Sequence, residues 1–479
     1  MSELPKKGDI LELDIVDAAE DGACFGRLEG GLGVFVRGTL AVGDRVEAEV
    51  TKRKRKFLET RLVRVLRESE HRTQPVCSHF GTCGGCKWQH VDTREQLRLK
   101  RKLVQDALER LGGFSDIEVE AVVPAEEAYR YRNKVDFTFS NRRYLSPDEL
   151  GDDALLKAPK DFALGFHAPR MFGKAIDIDE CFLASPDMNE ALHLVRDFCR
   201  TRGLSIYSTH THEGFLRNLV VRRGQKTGHL MVHLITSAQD DHPIAELSHA
   251  VQDAMGDRLT TFVHGVTDRK NLVAFADEQQ VLFGPGYIEE ELGAYRYRIS
   301  PSSFFQTNTL QAEVLYQTVA EMSGVDRDST VYDLYCGAGT ISLFLSERVK
   351  RVLGLEVIPS AVEDATRNAE ANGVSNCTFR AFDMKDLGTM EEDLEAFGRP
   401  DVVITDPPRA GMHPKAVKAL ESMGASRIVY VSCKPASLAR DGAALCESGH
   451  YRLQRVVPVD MFPQTYHIES VALFTKVME

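Results

Sequence analysis

At roughly 150 residues per domain, a chain of 479 residues has room for about three domains, each able to bury its own core. The stretch from Met1 to Asp9 has no apolar segment followed by a small-residue cleavage site, and no later run is long enough to cross a bilayer, so a soluble, cytoplasmic protein without membrane contact is expected. A formal charge of -12 disfavours a chain built throughout for nucleic acid, and ten cysteines over this length exclude a disulfide scaffold, which leaves clustered thiols for metal or chemistry.

From Gly8 to about Arg67, short alternating strands broken by glycine are predicted over Ile10–Ile15, Gly33–Val36, Asp44–Val50 and Arg61–Val65. Gly22, Gly26, Gly30, Gly31 and Gly33 mark tight turns. Residues 1–67 therefore read as a small β-barrel, OB-like in character. The basic run from Lys52 to Lys56 falls between its last strands, where such barrels present nucleic-acid-binding loops, and Arg61, Arg64 and Arg67 extend it. The segment resembles a TRAM domain, an RNA-binding module; a barrel that only packs is the alternative.

Residues 68–294 are expected to form a central α+β region, with a helix over Arg94–Leu111 and strands such as Val135–Phe139 and Leu219–Arg222. A second basic cluster holds Arg94, Arg98, Lys100, Arg101 and Lys102. In a third, Arg130, Arg132, Lys134, Arg142 and Arg143 interleave with Tyr129, Tyr131, Phe137 and Phe139, which suits backbone contact with base stacking. Solvated faces balanced by acids are the competing explanation for each cluster. Near the start of this region Cys77, Cys83 and Cys86 share a short glycine-bearing loop that packing does not explain and a metal centre does. Cys181 is the expected fourth ligand, because Cys24, Cys199, Cys377 and Cys446 stand isolated in other elements; tetrahedral zinc and a 4Fe-4S cluster both remain open. Trp88, the only tryptophan, suits base stacking as well as core packing.

Pro285, Gly286 and Gly293 precede residues 295–479, where strands and helices alternate as in a Rossmann-like α/β sheet. Thr330–Tyr335 reads as a buried strand, Cys336–Thr340 as a glycine turn and Ile341–Leu345 as the helix it feeds. Glu356, at the tip of the second strand, is placed to accept both hydroxyls of a ribose. Asp383 ends the third strand beside where an adenine would lie, and Asp406 ends the fourth, followed by Pro407, Pro408 and Arg409. Acids at successive strand tips gather at the ligand-binding edge, and neither Gly-Lys-Ser/Thr nor Gly-x-Gly-x-x-Gly is present, so an adenosyl cofactor fits better than a bound phosphate. The fifth strand, Arg427–Val431, delivers Ser432, Cys433, Lys434 and Pro435 to the same edge.

Uracil carbon 5 is a poor nucleophile until a thiolate adds to carbon 6. Cys433 is the candidate thiol, and Lys434, a helix start at Ser437 and a cationic cofactor are expected to lower its pKa. Glu469 is the candidate base for the proton on carbon 5. A lone cysteine would more often be buried and inert; its place after the fifth strand argues for chemistry.

The blocks Phe304–Asn308, Asp333–Thr340, Asp406–Arg409, Ser432–Pro435 and His467–Glu469 resemble the signature segments of the RNA uracil-5 methyltransferases, and the likeness spans essentially the whole chain. The resemblance implies S-adenosylmethionine as methyl donor, Cys433 as nucleophile and Glu469 as base. It also implies a cofactor and substrate site lined by Gln306, Tyr335, Thr340, Glu356, Asp383 and Asp406. The barrel and the cysteines resemble the ribosomal branch, which implies a 4Fe-4S cluster on Cys77, Cys83, Cys86 and Cys181 in place of zinc, and 23S ribosomal RNA as substrate. A tRNA substrate is the near alternative; cytosine-5 methylation and a catalytically silent RNA-binding iron-sulfur protein are further away. Many relatives read Ser-Cys-Asn-Pro at the nucleophile, so Lys434 is a departure. No obligate protein partner is implied.

Overall fold

The computed structural model describes residues 5–19, 22–151, 153–169, 171–238, 243–271, 273–390 and 396–477. Strands β1 (Ile10–Ala18), β2 (Cys24–Arg27), β3 (Gly33–Arg37), β4 (Arg45–Arg53) and β5 (Phe57–Arg67) close into a barrel in the order β1-β2-β3-β5-β4. Its core is the inward set of a period-two pattern, including Leu13, Ile15, Val34, Val36, Val46 and Val50. Four of the five strands follow the expected pattern. β2 escapes it because it is short and carries Gly26, where a Cβ would stand 2.5 Å from the Asp14 carbonyl oxygen. On the outer face Arg61 pairs with Glu49, Arg64 with Glu47 and Arg67 with Asp14. The first basic cluster therefore narrows to the exposed residues 52–56.

Helix α1 (Thr93–Gly112) begins where the Asp92 side chain accepts from the Glu95 amide and ends at Gly113 in the left-handed region. The second basic cluster on this helix is largely structural. Lys100 is fully buried with its Nζ 2.6 Å from Asp460 Oδ1, Lys102 bridges Asp17 and Asp106, Arg101 meets Glu118 and Arg98 meets Glu95. Trp88 is 3% exposed in a small core with Val91 and Leu99, so it is not available to stack on a base.

The next sheet holds β6 (Lys134–Ser140), β7 (Ala163–Ala168), β8 (Met171–Asp177), β9 (Leu216–Arg223), β10 (Leu230–Thr236), β11 (Thr261–Val266) and β12 (Glu278–Phe283), in the order β12-β11-β10-β9-β6-β7-β8. Helices α2 (Pro186–Thr201) and α3 (Ile244–Met255) cover one face. Phe137 and Phe139 lie in that core and Tyr131 is buried, while Arg130 pairs with Glu180, Lys134 with Asp136 and Arg143 with Glu149. The aromatic-basic pattern of residues 129–144 is thus mostly a strand packing inward and pairing its cations, not a stacking platform.

Antiparallel strands β13 (Ile288–Leu292) and β14 (Tyr295–Ile299) form a hairpin whose Ile288, Leu292, Tyr297 and Ile299 share a core with Val331 and Val352. The expected boundary at 294/295 falls in its turn, and the hairpin packs with the last region. There follow α4 (Thr309–Ser323), β15 (Thr330–Leu334), α5 (Thr340–Ser346), β16 (Arg351–Glu356), α6 (Pro359–Ala371), β17 (Cys377–Ala381), β18 (Val402–Thr405), α7 (Pro414–Met423), β19 (Arg427–Ser432), α8 (Pro435–Cys446), β20 (Tyr451–Val459) and β21 (Glu469–Lys476). The sheet order is β17-β16-β15-β18-β19-β21-β20, with β15 to β19 parallel and β21 antiparallel to both neighbours. α1, expected in the central region, packs instead on α8 and β20. Strand order reverses between β15 and β18, and an open α/β sheet forms its ligand crevice at that point. Among the described residues no helix is long and apolar enough to cross a membrane.

Candidate active site

The crevice is built from strand tips. Asp333, fully buried at the end of β15, accepts a 2.6 Å hydrogen bond from Ser342 Oγ on α5. Tyr335 (φ 63°), Gly337 (φ 53°) and Gly339 (φ 77°) then carry the chain through a left-handed turn. At Gly339 a Cβ would lie 2.8 Å from the Phe379 ring, so glycine is required there for space as well as for φ. Glu356, at the tip of β16, accepts from the Gly337 amide (3.2 Å) and the Ile358 amide (3.0 Å), which fixes its carboxylate beside the glycine turn. Thr340 is held by the Tyr316 hydroxyl at 2.8 Å. Asp383 is partly exposed; it caps the turn Met384–Thr389 and pairs with Lys385 at 2.6 Å. The Gln306 carbonyl accepts from Asn133 Nδ2 (2.8 Å), which ties the segment before α4 to the second sheet.

Cys433 stands where β19 ends against β21. Val431 pairs with Val471 and Ser432 with Ser470, where the ladder ends; Cys433 follows β19 directly and Glu469 opens β21, near enough for the Glu469 charge to act on the thiol. Asp406 donates its amide to the Leu334 carbonyl at 3.3 Å and so stands across the switch point from Asp333. Burial pushes the carboxyls of Asp333 and Asp406 up to about 7, with the Asp333 charge adding to the rise at Asp406. Glu469, 5% exposed, is raised well above the carboxylate range by burial and then by Asp406, against the pull of Arg409. The Cys433 thiol is pushed up to about 11 by burial, then by Glu469 and Asp406; again Arg409 opposes.

This corrects the expectation that the Lys434 side chain lowers the thiol pKa. Lys434 is instead the residue before α8, its amide bonded to Ser432 Oγ at 3.2 Å. The cation acting on the thiol is Arg409, whose carbonyl accepts from Ser437 Oγ at 2.8 Å. Its guanidinium donates to Nδ1 of His467 at 3.4 Å, and His467 is driven down to about 4 by burial and by Arg409. Sequence reasoning gives Arg409 no role and misses Asp441. The latter holds the same loop in place, accepting from the Met412 amide (2.7 Å), the Tyr430 hydroxyl (2.7 Å) and Arg440 Nε (2.8 Å). Replacing Arg409 by glutamine removes charge that favours the thiolate, so the Cys433 pKa rises further. Any thiolate-dependent rate at neutral pH should fall about tenfold per unit of that rise and recover as pH increases. Alkylation of Cys433 by iodoacetamide across pH 7–10 checks this directly; an unshifted profile would remove Arg409 from this role.

A cavity of about 730 Å³ opens on Cys433, Arg409 and His467, and its opposite wall includes Phe25, Arg27 and Phe35 of the barrel. The barrel therefore forms one side of the cleft over Cys433. A second cavity, about 590 Å³, is lined by Cys77, Cys83, Cys86 and Cys181 together. Burial raises the Cys83 thiol to about 11 and Cys86 to about 12, with the neighbouring cysteines adding to the rise. Among the described residues no three His, Cys, Asp or Glu side chains form a group that could hold a metal ion.

Comparison with known proteins agrees with this architecture. The profile of the tRNA (uracil-5-)-methyltransferase family matches residues 230–477, and that of the TRAM domain matches residues 6–63. The chain is 49% identical to an uncharacterized RNA methyltransferase of Chlorobaculum tepidum over 98% of its own length and 97% of the relative's. It is 40% identical to another from Porphyromonas gingivalis over 97% and 99%. Among solved structures, the tRNA (uracil-54, C5)-methyltransferase of Pyrococcus abyssi in complex with S-adenosyl-L-homocysteine superposes with a TM-score of 0.74 at 30% identity, covering 97% of this chain and 100% of that one. On these matches, the chain belongs to the tRNA (uracil-5-)-methyltransferase family and carries a TRAM domain.

Proposed function

We propose that this protein methylates carbon 5 of a uracil in 23S ribosomal RNA, in the cytoplasm, through a covalent bond between Cys433 and carbon 6 of the base. The ends of β19 and β21 carry the proposal: Cys433 follows one, buried Glu469 opens the other, and the carboxylate acts electrostatically on the thiol. The crevice also fits S-adenosylmethionine: Glu356 keeps lone pairs for ribose hydroxyls, and the glycine turn lets backbone approach the ligand. Bound there, S-adenosylmethionine would supply an electrophilic methyl group. The Cys433 thiolate adds to carbon 6, and the carbon 5–carbon 6 electron pair moves into an enolate at oxygen 4. Once carbon 5 has been methylated, Glu469 takes its proton; the double bond re-forms as the sulfur–carbon bond breaks and the thiolate departs. A carboxylate with a raised pKa is a stronger base for this carbon acid than an ordinary one. Gln306, Tyr335, Thr340, Asp383 and Asp406 are proposed to line the site.

A second reading, tRNA as substrate, is favoured by the full-length likeness to an enzyme named for tRNA. Mapping 5-methyluridine in ribosomal and transfer RNA from a deletion strain decides between them. Loss from 23S ribosomal RNA is expected; loss from tRNA alone would establish the second reading.

We also infer a 4Fe-4S cluster on Cys77, Cys83, Cys86 and Cys181. In such a cluster each sulfur binds a different iron, so the thiols stand further apart than around one zinc ion. Four cysteines line one cavity, and Cys77 and Cys181 act electrostatically on the thiols of Cys83 and Cys86, which supports a shared centre. Anaerobically purified protein should be brown and contain iron and labile sulfide; stoichiometric zinc without iron would overturn the inference.

A further inference from the structure

A third cavity, about 210 Å³, lies on the face of the second sheet opposite α2 and α3, and it concentrates unpartnered polar atoms. Four buried atoms without a hydrogen-bond partner among the described residues belong to residues that line it: Arg222 Nε, both ring nitrogens of His233, and Thr307 Oγ1. The register places them together. Lys134 is the cross-strand partner of Arg222, and Arg222 pairs with Met231, two residues before His233 on the same face. Arg222 is 4% exposed and His233 3%. Gly265 on β11 makes room for the imidazole, since a Cβ there would stand 2.6 Å from His233 Nε2. Buried polar groups are nearly always satisfied, so this many orphans around one opening need a ligand or a hydration role.

We propose that this cavity receives one unstacked base of the substrate RNA, a neighbour of the uracil that is methylated. The inference rests on the reading of the chain as an RNA methyltransferase. Its chemistry matches a base edge. Burial and the Arg222 charge keep His233 neutral, so it offers one N–H and one bare nitrogen, Thr307 offers a hydroxyl that both donates and accepts, and Arg222 offers a donor. A phosphate has acceptors only and would leave the bare imidazole nitrogen unsatisfied. Phe304, 70% exposed, and Phe275, 38% exposed, supply aromatic surface at the walls, and splayed RNA bases stack on such rings. The volume lies below the roughly 300 Å³ of drug-sized pockets and suits a single ring system. The openings also adjoin. This cavity shares Lys134 and Thr307 with the cysteine-lined one, which shares His467 with the cleft over Cys433. The base pocket and the cleft over Cys433 therefore flank the cysteine-lined cavity, and a strand whose target base reaches Cys433 crosses its rim at His467 and Thr307, outside the proposed cluster.

The test uses full-length enzyme, a transcript carrying the mapped uridine, and His233→Phe and Thr307→Val, which keep side-chain volume and remove the polar atoms. Each variant should bind the transcript roughly ten- to hundredfold more weakly, with S-adenosyl-L-homocysteine affinity and the salt slope of RNA binding unchanged. Removing one particular base beside the target uridine should weaken wild type equally and cost the variants nothing more. A structural role would instead lower the melting temperature and show no such coupling. Variants that bind RNA like wild type would mean that the cavity holds water only and overturn the proposal, as would a salt slope lowered by about one, which marks a phosphate contact. A wild type that methylates no RNA overturns the function itself, which is a different outcome.

Discussion

Replacing Cys433 by alanine should leave cofactor and RNA binding intact and reduce methyl transfer by about 10⁴-fold or more, the scale of losing a covalent nucleophile. Without sulfur at this position no bond forms to carbon 6, and carbon 5 stays too electron-poor to take a methyl group. RNA containing 5-fluorouracil separates this account from a general loss of activity. In wild type the adduct forms and is methylated, but fluorine cannot leave as a cation, so the protein stays attached to the RNA through denaturation. Cys433→Ala should give no such band. Cys336 is the natural control, because it sits in the glycine turn of the same crevice but is 7% exposed and faces the Gly354 backbone. Burial holds its thiol well above the ordinary range. Cys336→Ala should therefore keep the band. If the band survives in Cys433→Ala and vanishes in Cys336→Ala, the nucleophile has been misassigned.

The parts of this site that are legible in the sequence are those set by local pattern. Buried strands, a glycine turn and acids at strand tips follow each other within a few residues, and that order alone puts Asp333, Glu356, Asp406 and Cys433 on one edge. The charge balance is not legible, because it depends on residues far apart in the chain. Lys100 and Asp460 are 360 positions apart, and Arg64 is neutralised from a neighbouring strand by Glu47. The basic clusters consequently look freer in sequence than they are. Phe137 and Phe139 mislead for a related reason: alternation shows that one face of a strand is buried but not which face a sheet will cover. The thiol pKa is misjudged from sequence because Lys434 is adjacent along the chain, whereas Arg409, Glu469 and Asp406 are adjacent in space. The barrel wall over Cys433 comes from how separate regions pack, which periodicity within either one does not encode.

Glu469→Gln should divide the reaction at its second half. The amide is nearly isosteric and can still hydrogen-bond, but it accepts no proton from carbon 5, so the methylated adduct should form and then break down about 10²–10⁴-fold more slowly. Ordinary uracil RNA with S-adenosylmethionine should then give a denaturation-resistant protein–RNA band in this variant, which wild type shows only with the fluorinated base. Stability gives an independent check. A carboxyl whose folded pKa is raised costs stability as pH climbs from its unfolded value, near 4.3, toward the folded one, because the unfolded chain releases the proton first. The glutamine lacks that cost, so the variant should be at least as stable as wild type at pH 7 and lose less stability between pH 4 and 7. Low activity therefore cannot be put down to unfolding. If Glu469→Gln turns over at the wild-type rate, another group takes the proton; if it forms no adduct on uracil RNA, Glu469 acts before methyl transfer and not after it.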